Sequence, residues 1–206
     1  MNLLVVGGGG REHGIIQSLK KNPDVTKIYA LPGNGGIAAD AECVNIGATD
    51  IEGIVTFAKA HAIDFAVVAP DDPLVLGCAD ALEELGIPVF GPRKNAAIIE
   101  GSKVFSKRLM QKYNIPTAAY AVFTDLKEAL DYIEDAPIPT VIKADGLALG
   151  KGVIIAMTRD EAKKALRSML EDKVFGDSGS RVIIEEFPPA PRCLSCPLPT
   201  ARPSSP

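Results

Sequence analysis

Apolar residues in the first hundred positions come in short runs separated by amphipathic stretches. Leu3–Val6 (LLVV) predicts a buried strand, followed by glycines and a helix from about Glu12 to Lys20. Lys27–Ala30 (KIYA) predicts a second strand and Cys43–Ile46 (CVNI) a weak third. An amphipathic helix is expected from Asp50 to about His61, then the strongest strand, Phe65–Pro70 (FAVVAP). A helix from about Leu74 to Leu85 and a short strand in IPVFGP complete the block. Apolar strands alternating with helices mark a parallel sheet buried on both faces, because the helical crossovers cover it. Residues 1–100 are therefore expected to form a doubly wound α/β domain.

Lys94 to Tyr113 reads as two helical segments broken at Gly101, with Ser102 able to cap the second. A second block of β-α-β type follows. YAVF is a strand, Thr124 or Asp125 caps a helix running to about Asp135, and Thr140–Ala144 (TVIKA) is the next strand. The glycine turn DGLALGKG leads into Val153–Ala156 (VIIA). Thr158 and Glu161 have capping-box spacing and open a helix to about Asp172. Arg181–Phe187 (RVIIEEF) is the final strand, so residues 101–187 form a second unit. Residues 188–206 break the pattern: seven of the nineteen are proline, and no apolar period runs through them. Proline cannot donate to a ladder, so Pro188-Pro189 ends the strand and the tail is expected to be disordered. No internal repeat is present.

Composition narrows the class. The chain is 47% hydrophobic and 23% charged over 206 residues, the balance of a globular protein with a buried core. A net charge of −4 argues against a general nucleic-acid binder. No window approaches the roughly 18 apolar residues of a membrane span. MNLLVVGGGG carries neither a basic n-region nor a small-residue cleavage site, so no signal peptide is read. Cys43 and Cys78 are far apart in sequence, and reduced thiols and a cytoplasmic location are expected.

Two glycine loops carry the candidate chemistry. VVGGGGREHG follows a strand and opens a helix, where free N–H groups and the helix dipole suit an anion. It is not a dinucleotide fingerprint. The G-x-G-x-x-G spacing from Gly7 or Gly8 puts Glu12 or His13 where glycine is needed, and the second strand ends without an acid for a ribose hydroxyl. A phosphorylated sugar fits better, with Arg11, Glu12 and His13 at the helix start. PGNGG (32–36) and APDDPL (69–74) follow other strands, and all three loops should line one crevice at the strands' carboxyl ends. There Asp71 and Asp72 can meet a hydroxyl or an amine, or Asp72 can cap the next helix. The second loop follows Lys143, a lysine inside a strand. Burying a lone ammonium is costly unless it is paired, and a nucleotide phosphate would offset that cost. Gly146, Gly150 and Gly152 let the turn close over phosphates, and Lys151 adds charge. Gly152 stands where a Walker A loop needs Ser or Thr.

GGGGREH, PGNGG, FGPRKNAAIIEGSKVFSK, IPTA, VIKADGLALGKGV and VIIEEF occur in order and together. The chain thereby resembles the phosphoribosylamine–glycine ligase family, also called glycinamide ribonucleotide synthetase, of the ATP-grasp superfamily. The resemblance covers residues 1 to about 187. It implies an α/β protein in which a parallel-sheet N-domain precedes a partial ATP-grasp domain. It implies ligation of 5-phosphoribosylamine to glycine with ATP, through glycyl phosphate, with Mg²⁺ (or Mn²⁺). By match to the family motifs, Gly9, Gly10, Arg11, Glu12 and His13 hold the phosphoribosylamine, with Asn34 and Asp71 as further candidates. Lys103 and Lys143 match nucleotide-contacting lysines, and Gly146, Gly150, Lys151 and Gly152 the loop over the phosphates. Glu185 and Glu186 match the hinge that reads adenine. Small-molecule partners, no nucleic acid, no membrane and a monomeric state are implied as well.

The match departs from the family at Gly14, at Asp71 and Asp72, at Leu149 and, above all, after Phe187. Pro188 lacks the N–H that the family's hinge residue offers to adenine. The family's magnesium ligands, substrate loop and C-terminal domain lie beyond that point. The expectation is a fragment without catalysis that binds a sugar phosphate weakly, leaves apolar surface bare and self-associates. The tail reads as an out-of-frame ending, which translating the source DNA in its other two frames would test. Its Cys193-x-x-Cys196 spacing has no second ligand pair, and neither zinc nor redox chemistry is expected there.

Overall fold

The computed structural model describes residues 1–146, 152–174 and 180–187. The tail expectations for 188–206, including Cys193 and Cys196, lie outside the described residues, as do Gly150 and Lys151. Among the described residues no helix is long and apolar enough to cross a membrane.

Five strands make the first sheet: β1 (Asn2–Gly7), β2 (Lys27–Pro32), β3 (Glu42–Cys43), β4 (Phe65–Val68) and β5 (Val89–Phe90). All pairs are parallel, in the order β3-β2-β1-β4-β5. The chain reverses its direction of growth between β1 and β4, which creates the crevice typical of open α/β sheets. Alternation along β1 shows why both faces are covered. Leu3 and Val5 pack with Ile16 of α1 (Gly10–Leu19) and with Ile28, Ala30 and Ile37. Leu4 and Val6 pack on the other face with Ile54 and Ala58 of α2 (Ile51–Ala60) and with Leu74, Cys78 and Leu82. Burial in that cluster pushes the Cys78 thiol up to about 11. Cys43 and Cys78 are both free thiols.

The helix expected from Leu74 to Leu85 is two short ones, α3 (Asp71–Leu76) and α4 (Cys78–Glu83). Gly77 between them has φ 96°, a left-handed conformation that ends one helix and starts another. Asp72 lies in the first turn of α3 and does not cap it; the N-cap is Pro70. The third strand is only Glu42–Cys43, so the apolar residues Val44 and Ile46 join the core without extending the ladder.

Helix α5 (Lys94–Gly101) packs back on α3, its Ala97 buried in the first core. A Cβ at Gly101 would lie 2.9 Å from Val75 Cγ2, so the close approach of α5 to α3 requires glycine there. Ser102 then caps α6 (Lys103–Lys112), its hydroxyl accepting from the Phe105 N–H. The second sheet contains β6 (Tyr120–Phe123), β7 (Thr140–Ala144), β8 (Val153–Ala156) and β9 (Val182–Glu186). It is antiparallel throughout, in the order β6-β9-β7-β8. Helices α7 (Leu126–Asp135) and α8 (Arg159–Leu170) cover one face, burying Ile133, Leu166 and Met169 against Ile142, Val182 and Ile184. Asp125, not Thr124, caps α7. Thr158 caps α8, but the Glu161 carboxylate accepts from the Met157 N–H, one residue outside a strict capping box.

Replacing Gly77 by alanine leaves room for the methyl group, whose nearest neighbour would be Lys94 Cδ at 3.5 Å, but strains the backbone. The expected cost is about 1 kcal/mol, read as a lower urea midpoint with an unchanged slope.

Candidate functional site

The three loops expected to share a crevice do meet at the β1/β4 switch point. Gly33 N–H donates to Gly7 O at 3.2 Å, and the Asn34 amide donates to Gly8 O at 2.7 Å. A Cβ on Gly8 would sit 2.4 Å from Gly33 O, and one on Gly7 would sit 2.8 Å from Pro70 Cγ. Glycine is therefore required for the loops to close on each other. Asn34 Oδ1 also accepts from the N–H groups of Gly36 and Ile37, at 2.7 and 2.9 Å, so Asn34 braces two loops. Asp71 and Asp72 stand in the first turn of α3, just beyond Pro70.

Gly9 is the N-cap of α1 and has no side chain to satisfy the first turn. Glu12 folds back instead: its buried carboxylate accepts from Gly9 N–H at 2.6 Å and from Arg11 Nε at 3.1 Å. The N–H groups of Gly10 and Arg11 remain at the helix start, where no intrahelical acceptor exists. Arg11 has 60% of its side chain exposed at this mouth. His13 Nε2 is 2.8 Å from Asp40 Oδ2, and Lys20 Nζ is 2.6 Å from Asp40 Oδ1. Hydrogen bonds from Lys20 first and His13 second hold the Asp40 carboxyl below its ordinary value of 3.8.

The second set of residues lies on the sheet face away from α7 and α8. Register places Tyr120, Glu185, Val141 and Ile155 in one row across the four strands, and Val122, Ile183, Lys143 and Val153 in the next. Lys143 was expected to be buried and to need a phosphate. It is half-buried, and its partner is the chain's own Glu185, with Nζ 2.8 Å from Oε2. Lys107, reaching from α6, lies 3.3 Å from the same oxygen. Glu185 is 5% exposed and its Oε1 has no hydrogen-bond partner within the described residues. Glu186 is exposed at the end of β9. Lys103 Nζ donates to Gly146 O at 2.9 Å, so this lysine already touches the base of the glycine turn. Burial first, and the nearby Lys143 charge after it, lower the Lys103 ammonium from 10.5, against the raising effect of Asp145. The Gly152 carbonyl accepts from Ala144 N–H at 2.9 Å.

Asp145 joins α6 to the second sheet. Its Oδ1 accepts from the Ser102 hydroxyl at 2.9 Å and from Val104 N–H at 2.8 Å. Its Oδ2 pairs with Arg181, and its backbone carbonyl accepts from Lys103 N–H at 3.2 Å. A cleft of about 500 Å³ lies here, with Asp72 and Val75 on the first unit and Ser102, Asp145 and Arg181 on the second. A surface hollow of about 580 Å³ along α2, lined by Asp50, Phe57 and His61, contains none of the expected site residues.

The sequence reading missed Lys107, Asp145 and Arg181. Lys103 and Lys107 are four apart on α6, which puts both on one helix face, and that spacing was the available signal. Asp145 and Arg181 sit at the ends of two strands, and only the pairing of β7 with β9 brings them together.

A family model described as phosphoribosylglycinamide synthetase, N domain, matches residues 1–100. Another, phosphoribosylglycinamide synthetase, ATP-grasp (A) domain, matches residues 101–190. The phosphoribosylamine–glycine ligase of Vibrio vulnificus (strain YJ016) is 52% identical over 189 residues, which are 91% of this chain and 44% of the relative. The crystal structure of that enzyme from Thermotoga maritima superposes with a TM-score of 0.72 and 32% identity, over 91% of this chain and 44% of the other. The biotin carboxylase domain of the Hydrogenobacter thermophilus 2-oxoglutarate carboxylase, solved with MgADP, ADP and bicarbonate, gives a TM-score of 0.71 at 20% identity, over 90% of this chain and 44% of that one. At that identity the likeness is one of fold. The chain spans under half the length of the curated relatives it matches.

Asp145→Ala is expected to destabilise the fold by about 2–4 kcal/mol, because it strands a buried hydroxyl, an N–H group and a guanidinium. Asp145→Asn keeps acceptor capacity and should lose less; urea unfolding of both variants checks this. The pairing of Asp40 with Lys20 and His13 makes a second, pH-dependent expectation. Its carboxyl is depressed in the folded state, so its contribution is fully present above pH 3.8 and is lost as pH falls through the folded value. The stability gap between wild type and Asp40→Asn should therefore narrow on acidification below that pH.

Proposed function

The chain belongs to the phosphoribosylglycinamide synthetase family, and from that premise we propose that it supplies the sugar-phosphate crevice and one wall of the nucleotide cleft of an ATP-dependent phosphoribosylamine–glycine ligase in purine biosynthesis. The observation that carries this reading is the convergence of Lys103, Lys143 and the base of the glycine turn beside the Asp145 junction. In the proposed reaction a glycine carboxylate oxygen attacks the γ-phosphorus of ATP, releasing ADP and forming glycyl phosphate. The amine of 5-phosphoribosylamine then attacks the carbonyl carbon, expels phosphate and gives up a proton. Phosphoryl transfer of this kind depends on positioned cations and N–H donors and needs no protein nucleophile.

The roles proposed here come from the match to the family motifs, and the geometry of the described residues supports several of them. The free N–H groups of Gly10 and Arg11, with the Arg11 guanidinium, receive the sugar phosphate. Gly9, Glu12 and Asn34 hold the loop in shape for it, His13 is fixed on Asp40, and Asp71 faces the ribose or amine. Lys103 and Lys143 neutralise nucleotide phosphates, and the negative charge of an arriving polyphosphate would oppose the lowering that burial imposes on Lys103. By match to the family motifs, Gly146, Gly150, Lys151 and Gly152 are assigned to the loop over the phosphates, and the backbone at Glu185 and Glu186 to adenine. Magnesium belongs to the family chemistry. Among the described residues no group of three or more His, Cys, Asp or Glu side chains is placed to hold a metal ion, so no step is assigned to one here.

For the 206-residue chain by itself a second reading applies, that of a binding fragment without turnover. It is favoured by the open end of the cleft wall, where Val153 and Ile155 of β8 are 45% and 51% exposed. That bare apolar edge also supports self-association.

The chain is expected to bind ATP and ribose 5-phosphate in calorimetric titrations, and to release no ADP when glycine and 5-phosphoribosylamine are added. Lys143→Met should weaken ATP binding about tenfold or more, and Arg11→Ala should do the same for ribose 5-phosphate. Unchanged affinity in either variant would overturn that residue's role, and steady ADP release would overturn the second reading.

A further inference from the structure

Glu185 holds two lysines of unequal freedom. Lys107 is 8% exposed and is anchored at three points: Thr117 Oγ1 at 2.6 Å, Ala118 O at 3.3 Å and Glu185 Oε2 at 3.3 Å. Its ammonium also lies 5.4 Å from the centre of the Tyr120 ring. Lys143 is more exposed, with 26% of its side chain accessible, and its bond to Glu185 Oε2 is the only side-chain bond it makes among the described residues. A buried carboxylate cannot stand without a counter-charge. If Lys143 were the only cation at Glu185, moving it to another anion would leave that carboxylate bare.

We propose that Lys107 is a positioning residue that keeps Glu185 compensated, so that Lys143 can exchange its partner from the Glu185 carboxylate to a nucleotide phosphate. Glu185 acts as the placeholder anion that parks Lys143 on the cleft wall before nucleotide arrives. Lys107 is the fixed cation that makes the parking reversible. Oε1 has no hydrogen-bond partner among the described residues, so the compensation of this carboxylate rests on the two lysines at Oε2. This rests on the nucleotide role given above to Lys143.

Amine acetylation of the 206-residue chain, read at Lys143 by mass spectrometry with and without ATP, tests both ideas separately. Without nucleotide, Lys107→Met should slow acetylation of Lys143 about threefold, the scale set by a partly exposed ion pair. Lys107→Arg should keep the wild-type rate, and the double variant Lys107→Met/Glu185→Gln should be at least as fast as wild type. Loss of folding would raise the rate and so cannot imitate the expected slowing. A Lys143 rate that Lys107→Met leaves unchanged or raises would overturn the inference whatever ATP does. In wild type, ATP should protect Lys143; absence of protection would instead count against the nucleotide assignment and leave the free-chain comparison to decide the role of Lys107.

Discussion

Two carboxylates taken out of water organise this molecule. Asp145 and Glu185 are both about 5% exposed, and a buried charge is tolerated only when cations and N–H groups surround it. For Asp145 the side-chain partners come from two places: the Ser102–Val104 turn, and Arg181 just before β9. Satisfying that one side chain docks α6 onto the second sheet. For Glu185 the partners are Lys107 of α6 and Lys143 of β7, so the same helix is pinned again further along. The face that bears the lysines is thus held in place by electrostatics, while the opposite face is held by apolar packing under α7 and α8.

Much of the first sheet was legible because its strands are apolar on both sides. Leu3 to Val6 could only be a buried strand, and the glycines after it could only be a turn. Gly77 was passed over. It sits inside a helical period of apolar residues, and periodicity alone does not reveal that the backbone there turns left-handed. The antiparallel second sheet was not legible either. Short apolar runs with intervening helices fit both sheet types, and the placement of β9 between β6 and β7 depends on contacts more than forty residues apart, such as Thr140 with Glu186.

The site was partly legible for a similar reason. Glycines, lysines and acids could be located, but not what they touch. Glu12 was read as a ligand-facing acid, and the structure turns it inward to take the N–H that Gly9, lacking a side chain, leaves open. Lys143 was read as awaiting a phosphate, and a glutamate from the neighbouring strand already meets it. Lys107 left a trace only in its spacing from Lys103, because its importance comes from a residue seventy-eight positions later, Glu185.

The strand order of the second sheet also governs when its cleft wall comes into being. β9 is the last described strand to leave the ribosome, yet it is an interior strand, bonded to β6 on one side and β7 on the other. Until Glu186 has been made, β6 has no neighbour to pair with, and neither Lys107 nor Lys143 has its acid. The first sheet has all its strands by Phe90 and can consolidate early from nearer contacts. The lysine-bearing face therefore cannot be completed until that single late strand is made.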